Sequence, residues 1–171
     1  MNPCIKSVLQ QSHLSLDGFL FISNKKFSIM KSKMENFNLL QITTLKGATF
    51  YLDNTMTVRQ AFEKFAYHKF TVVPVLDGEG HYVTSLSEGD ILRFIHASGG
   101  FNLALAEKTN ILEIERYRPY NAVSVDATLD ELYALALSQN FIPVVDDREV
   151  FIGIVKRRDV FIYLKKQIDN K

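Results

Sequence analysis

The residues best placed to do chemistry fall in two short runs, Leu86-Ser87-Glu88-Gly89-Asp90 and Val155-Lys156-Arg157-Arg158-Asp159. Each sets a carboxylate three residues after a polar or charged side chain, between a hydrophobic run and a helical one. Such a strand-to-helix junction presents free backbone N–H groups, which favour anions such as phosphate. The same carboxylates suit a structural role, because an acid in the first turn stabilises a helix by about 0.3–1 kcal/mol. The parts of a catalytic centre are missing. No G-x-x-x-x-G-K-[ST], G-x-G-x-x-G or H-E-x-x-H occurs, and Ser87 has no histidine nearby in sequence. His13, His68, His81 and His96 lie too far apart for a zinc set, so no metal site is expected. The residues point to binding, with no catalytic residue and no enzymatic activity.

The elements that must position these runs occur twice. Pro74-Val75-Leu76-Asp77 returns as Pro143-Val144-Val145-Asp146, and from Pro74 to Ile95 the two copies align without a gap at an offset of 69 residues. The first copy predicts a strand over 48–52, then a helix over 57–68 in which Val58, Ala61, Phe62 and Phe65 recur at helical spacing. Thr55 is a plausible N-cap for that helix, with Asp53 and Thr57 as alternatives. A buried strand over 71–76, a turn at Asp77-Gly78-Glu79-Gly80, a strand over 82–86 and a helix over 88–96 follow. The second copy repeats the order as strand 122–125, helix 129–138, strands 141–145 and 150–155, and helix 157–167. Thr55 to Pro74 spans 19 positions and Thr128 to Pro143 spans 15, so the first helix of the second copy should be about one turn shorter.

Each copy therefore reads β-α-β-β-α, a three-stranded sheet with two helices, and the fold class is α/β in the broad α+β sense. A unit of roughly 50 residues with one bare apolar sheet face is marginal alone. Two copies packed sheet to sheet with pseudo-twofold symmetry bury that face, with Val72-Val73, Val75-Leu76, Phe141-Ile142 and Val144-Val145 as the shared core. Two related crevices remain beside the sheets, each near a junction. The expected organisation is an N-terminal arm with little fixed structure at 1–33, a first repeat at 34–98, a connector at 99–116 and a second repeat at 117–168. The arm is either a flexible partner-binding segment or an over-extended reading frame preceding a native start at Met34.

Composition narrows the function further. The 171-residue chain is 47% hydrophobic, enough for a packed core, and its formal charge of +1 carries no nucleic-acid footprint. No apolar run reaches the roughly 18 residues of a transmembrane helix, and Leu14 to Ile22 is interrupted by Asp17. The single Cys4 fits a reducing compartment, so the expected location is cytoplasmic, with neither nucleic acid nor membrane as a partner.

A Pro-Val-hydrophobic-Asp strand, a turn, a hydrophobic strand and a Ser/Thr-x-x-Asp junction into a helix together resemble the cystathionine β-synthase (CBS) domain. Two in tandem, over about residues 45–168, resemble a Bateman module. The resemblance implies an adenosyl ligand (AMP, ADP, ATP, S-adenosylmethionine or cyclic di-AMP) in the cleft between repeats, with no required cofactor. It assigns the ribose hydroxyls to Asp90 and Asp159, and a phosphate or ribose contact to Ser87. Adenine contacts go to the strand positions Thr71, Val72 and Val73 in one copy and Asn140, Phe141 and Ile142 in the other. The second copy departs from the pattern: Lys156 stands where Ser or Thr is usual, and either supplies charge to a phosphate or fills the pocket. With Arg157 and Arg158 beside it, that site suits several phosphates, whereas Glu88 biases the first toward a nucleoside or singly charged ligand. The three basic residues equally suit a solvated turn, and Arg116 and Arg118 are read as surface residues within reach of a ligand. The resemblance also implies a head-to-head homodimer and a regulatory sensor acting on an unknown protein. The rival is a structural or interaction module with empty clefts.

Overall fold

Hydrophobic β-branched runs and capped amphipathic segments build seven strands and five α-helices over residues 37–169, the part of the chain described by this computed structural model. In chain order these are β1 (Thr43–Leu45), β2 (Leu52–Asp53), α1 (Val58–His68), β3 (Val72–Leu76), β4 (Tyr82–Ser87) and α2 (Glu88–Ala97). The connector carries α3 (Leu103–Lys108). The second repeat comprises β5 (Val123–Ser124), α4 (Leu129–Ala136), β6 (Phe141–Val145), β7 (Phe151–Lys156) and α5 (Arg157–Asp169). The expectations for residues 1–33 lie outside the described residues. No helix among the described residues is long and apolar enough to cross a membrane.

The duplication holds down to individual bonds. β2 pairs parallel with β3 and β3 antiparallel with β4, and β5, β6 and β7 repeat that arrangement. Val72 faces Ser87 across the first hairpin, and Phe141 faces Lys156 across the second. The Glu88 N–H donates to Thr71 O, and the Arg157 N–H to Asn140 O, both at 3.0 Å. The repeated aspartate of the Pro-Val-hydrophobic-Asp motif closes the hairpin turn. Asp77 Oδ1 accepts from the N–H groups of Glu79 and His81, and Asp146 Oδ1 from those of Arg148 and Val150. Gly80 and Glu149 occupy the same turn position, both left-handed at φ +90° and +62°.

Thr57, one of the three candidate N-caps, starts α1 through a capping box with Gln60, and Thr128 does the same for α4 with Glu131. Thr55 instead hydrogen-bonds Asp53. The helix α4 has 8 residues against 11 in α1, the expected shortening. Of the strand positions expected in the shared core, Val73, Val75, Leu76, Phe141, Ile142 and Val144 are buried, while Val72 and Val145 are partly exposed. The two sheets meet through their hairpin turns, where the Phe151 N–H donates to Gly80 O at 2.9 Å and the Tyr82 N–H to Glu149 O at 3.4 Å.

The symmetry breaks at the sheet edges. The first sheet has the expected three strands (β2-β3-β4), but the second has four (β1-β7-β6-β5). β1 precedes the first repeat in sequence yet pairs antiparallel with β7, placing Leu45 opposite Gly153. The predicted strand over 48–52 is instead a 3-10 turn at Lys46–Ala48 followed by the short β2. The Thr49 hydroxyl holds that turn by donating to the carbonyls of Thr44 and Leu45. Gly153 is glycine because β1 crosses directly over it: a Cβ there would stand 2.2 Å from Thr44 O. Its counterpart Thr84 faces no added strand and keeps its side chain.

Two expectations follow. Gly153→Ala must displace β1, and overpacking of this kind costs about 1–3 kcal/mol; urea unfolding should show that loss, with increased hydrogen exchange along Thr43–Leu45. The second concerns His81, whose Nδ1 lies 3.0 Å from Asp77 Oδ2. That hydrogen bond to Asp77 raises the imidazole above its usual 6.5 against partial desolvation, and Glu79 and Glu149 add to the effect. The backbone N–H of His81 in turn holds Asp77 below the usual carboxylate range against burial. The stabilisation is therefore complete below about pH 6.5 and is lost as pH rises through the folded-state value. The urea midpoint should fall between pH 6 and pH 8, and His81→Gln should flatten that slope.

Candidate functional site

The first junction is closed by its own side chains. Ser87 caps α2 by accepting from the Asp90 N–H, while Asp90 returns to Ser87 in a reciprocal box. Asp90 Oδ2 accepts from the Ser87 N–H at 3.0 Å and the Ser87 hydroxyl at 2.7 Å. Its Oδ1 accepts from Arg93 Nη2 at 2.6 Å and from the Tyr117 N–H of the connector at 3.0 Å. Asp90 is only 3% exposed. Burial pushes its carboxyl up, but the Ser87 hydroxyl, the Tyr117 and Ser87 amides and Arg93 outweigh burial and hold it below the ordinary range.

The connector is stitched along β4. Arg116 donates through Nε to Ser85 O at 3.1 Å, through Nη1 to Ile114 O at 2.6 Å and through Nη2 to Ile111 O at 2.7 Å. This half-buried guanidinium, its pKa lowered by desolvation, is thus a backbone staple and not a free surface cation. Tyr82 adds a second stitch: its hydroxyl donates to Tyr120 O at 3.0 Å, and burial pushes its pKa up to about 12. Arg93 and Arg118 lie over the Tyr117 ring, at 4.6 and 5.6 Å from its centroid. A groove of about 290 Å³ is lined by α2 residues, Asp90 and Arg93 among them, and by connector residues that include Glu113 and Glu115, but by no strand of either sheet.

The second junction is open. Lys156 occupies the position of Ser87 and has no oxygen with which to cap α5. It is exposed and lines a cleft of about 120 Å³. Asp159 keeps 26% of its side chain exposed, and its one ion-pair neighbour among the described residues is Arg158 at 3.7 Å. Arg157 is oriented by Asn140, whose Oδ1 accepts from Nη2.

Both repeats and the crossing segment build that cleft. Its walls include Val72, Val73 and Pro74 from β3, Phe141 and Ile154 from the second sheet, and Thr44, Ala48, Thr49 and Phe50 from the segment around β1. Of the sequence-derived site residues it gathers Val72, Val73, Phe141 and Lys156. Thr71 and Asn140 are exposed and serve through backbone carbonyls that meet the following helices, and Ile142 is fully buried. Sequence reasoning missed Thr44, Thr49, Phe50 and Phe70. Phe50 and Phe70 stack at 5.4 Å, and His68 packs against both rings. The signal for them was weak: two phenylalanines flanking α1, one in a segment read as the opening strand of the first copy.

Two β-α-β-β-α units joined through their hairpins, with a junction beside each, define a tandem-repeat module. The sequence profile of the CBS domain matches residues 48–97 and 114–166, and the chain belongs to the CBS domain family. No curated protein matches the chain. Among solved structures, CbpB in complex with c-di-AMP shares 20% identity over 86% of this chain and 96% of its own, with a TM-score of 0.71. CbpB of Listeria monocytogenes in complex with c-di-AMP shares 19% identity over 79% and 100%, TM-score 0.62. CBSX2 in complex with AMP shares 20% over 78% and 99%, TM-score 0.56. At these identities the likeness is one of fold.

The Arg116 staple makes its own prediction. Hydrogen bonds from a charged donor are worth about 1.5–3 kcal/mol each and do not add fully. Arg116→Ala should cost about 2–3 kcal/mol in chemical denaturation, and Arg116→Lys should recover little of it, because an ammonium cannot span three carbonyls with a planar fork.

Proposed function

We propose that the chain is a non-catalytic regulatory sensor that binds an adenine nucleotide in the cleft of the second junction. The observation that carries this reading is the asymmetry of the junctions: Asp90 has both oxygens engaged by the protein, whereas Asp159 and the cationic run before it face outward. In this reading Asp159 receives the ribose hydroxyls. Lys156, Arg157 and the uncapped N-terminus of α5 receive phosphate. The base lies against Phe50 and Phe70, with the Thr71–Val73 backbone at its edge. A fully enclosing ligand pocket is roughly 300–1,000 Å³, so a cleft of about 120 Å³ takes the base and leaves the phosphates outside it, on the side of Lys156.

The ligands of CbpB and CBSX2, c-di-AMP and AMP, support an adenine nucleotide. The local positive charge favours ADP, ATP or cyclic di-AMP over AMP and disfavours the sulfonium of S-adenosylmethionine. Signalling follows if the ligand prefers one arrangement of the repeats, which shifts their population toward a partner protein. Exposed Phe62 and Leu92 on the first pair of helices and Tyr133, Leu137 and Phe161 on the second support a homodimer packed through those faces. The lone thiol supports a cytoplasmic location.

Calorimetric titration with AMP, ADP, ATP, S-adenosylmethionine and cyclic di-AMP tests the reading. Saturable micromolar binding of a phosphate-bearing ligand is expected. Asp159→Ala should weaken it about 10- to 100-fold, the worth of a hydrogen bond to a charged group. Absence of heat and of any thermal shift with all five would sink the reading in favour of an interaction module with empty clefts.

A further inference from the structure

The two junctions descend from one pattern, yet the residues that close the first are missing from the second. Ser87, whose hydroxyl donates to Asp90, is replaced by Lys156 at the offset of 69. Arg93, which bridges Asp90 and the Tyr117 ring, is replaced by Ile162. The connector reaches Asp90 through the Tyr117 amide, and Arg116 and Tyr82 pin the same segment to β4 on either side. A carboxylate that is 3% exposed and already accepts four hydrogen bonds has no acceptor site left for a sugar hydroxyl.

We propose that the Tyr117 segment of the connector is a built-in occupant of the first junction, latched by Arg93, so that the module binds a single nucleotide per chain. The inference rests on the nucleotide reading for its stoichiometry but not for the latch itself. Asp90 is on this account a positioning residue that fixes the connector, and through it the approach of the second repeat to the first. The neighbouring groove between α2 and the connector counts Asp90 in its lining but does not reopen the site, because both carboxylate oxygens are already engaged by Ser87, Arg93 and the Tyr117 amide. The latch also removes competition: a ligand meets one cleft with one charge pattern, and its binding signal has a single origin.

The test joins two measurements on the full chain. Calorimetric titration with cyclic di-AMP and ADP should give one site per chain, weakened about tenfold or more in Asp159→Asn and retained with unchanged affinity in Arg93→Ala, whose exposed side chain allows folding. Hydrogen exchange of the ligand-free protein should show the Tyr117 amide protected, and about tenfold less protected in Arg93→Ala, the lower end of a charge-assisted bond. Two sites per chain would overturn the proposal while leaving the nucleotide reading intact, whereas affinity unchanged in Asp159→Asn would overturn the assignment to the second junction on which both rest. If neither probe binds, the nucleotide reading fails and exchange alone decides the latch: a protected Tyr117 amide sustains it, and exchange at the rate of an unstructured amide overturns it.

Discussion

The two backbone hydrogen bonds that join the hairpin turns, Phe151 N–H to Gly80 O and Tyr82 N–H to Glu149 O, set everything that follows in this molecule. They make the turns of the two repeats a continuous, pseudo-symmetric seam and fix the register of one sheet against the other. Because the side chains of a strand alternate between faces, that register decides which residues face the shared core and which face a cleft. The seam depends on local chemistry at Asp77 and Asp146, each of which holds two amides of its own turn. It also depends on a left-handed residue at position 80 or 149, without which the carbonyls would not point across. The bond at 2.9 Å belongs to the copy in which glycine takes that conformation freely, and the longer one to the copy in which glutamate takes it at some cost.

Once the seam is in place, symmetry leaves each repeat with a bare edge at its third strand, β4 or β7, and the chain covers these two edges differently. The second sheet receives β1 as a fourth strand, close enough that only glycine fits beneath it. The first sheet receives the connector, which makes no ladder and is held by the Arg116 fork and the Tyr82 hydroxyl. A ladder strand ends cleanly and leaves the next residues, Ala48 to Phe50, to form a cleft wall. The side-chain-stapled connector instead runs to the adjacent helix N-terminus, where the Tyr117 N–H meets Asp90. The structural difference between the junctions therefore begins as a difference in how an edge is covered.

Much of this was legible in sequence where a local rule governs. The gapless alignment from Pro74 to Ile95 located both hairpins, the shortened α4 followed from four missing residues, and the junction carboxylates sit at the first turn of their helices as the capping pattern requires. The rest was set by long-range geometry. β1 has three residues and no alternation of its own, so nothing in Thr43-Thr44-Leu45 says that it will pair with β7 more than a hundred residues away. The need for glycine at position 153 was not legible, because its reason is the backbone of a distant strand. Arg116 looked like a free cation since three carbonyls carry no sequence signature. Phe50 and Phe70 became a cleft wall only when the crossing segment brought them together.

The carboxylate common to both junctions shows how one residue type is turned to two uses by its neighbours. A first-turn aspartate is drawn to helix N–H groups whether or not a ligand is present. What differs is whether its remaining lone pairs are filled from within. In the first repeat a serine, an arginine and a connector amide fill them, and the summed hydrogen bonds overcome the cost of burying the charge. In the second, lysine and isoleucine at the matching positions offer no such bonds, so the carboxylate stays partly exposed, with Arg158 at 3.7 Å as its ion-pair neighbour. Satisfying a buried charge internally uses up its lone pairs, and leaving it partly hydrated keeps them available to an outside partner. One helix N-terminus cannot serve both ends at once, and duplication allows the chain to assign one to each.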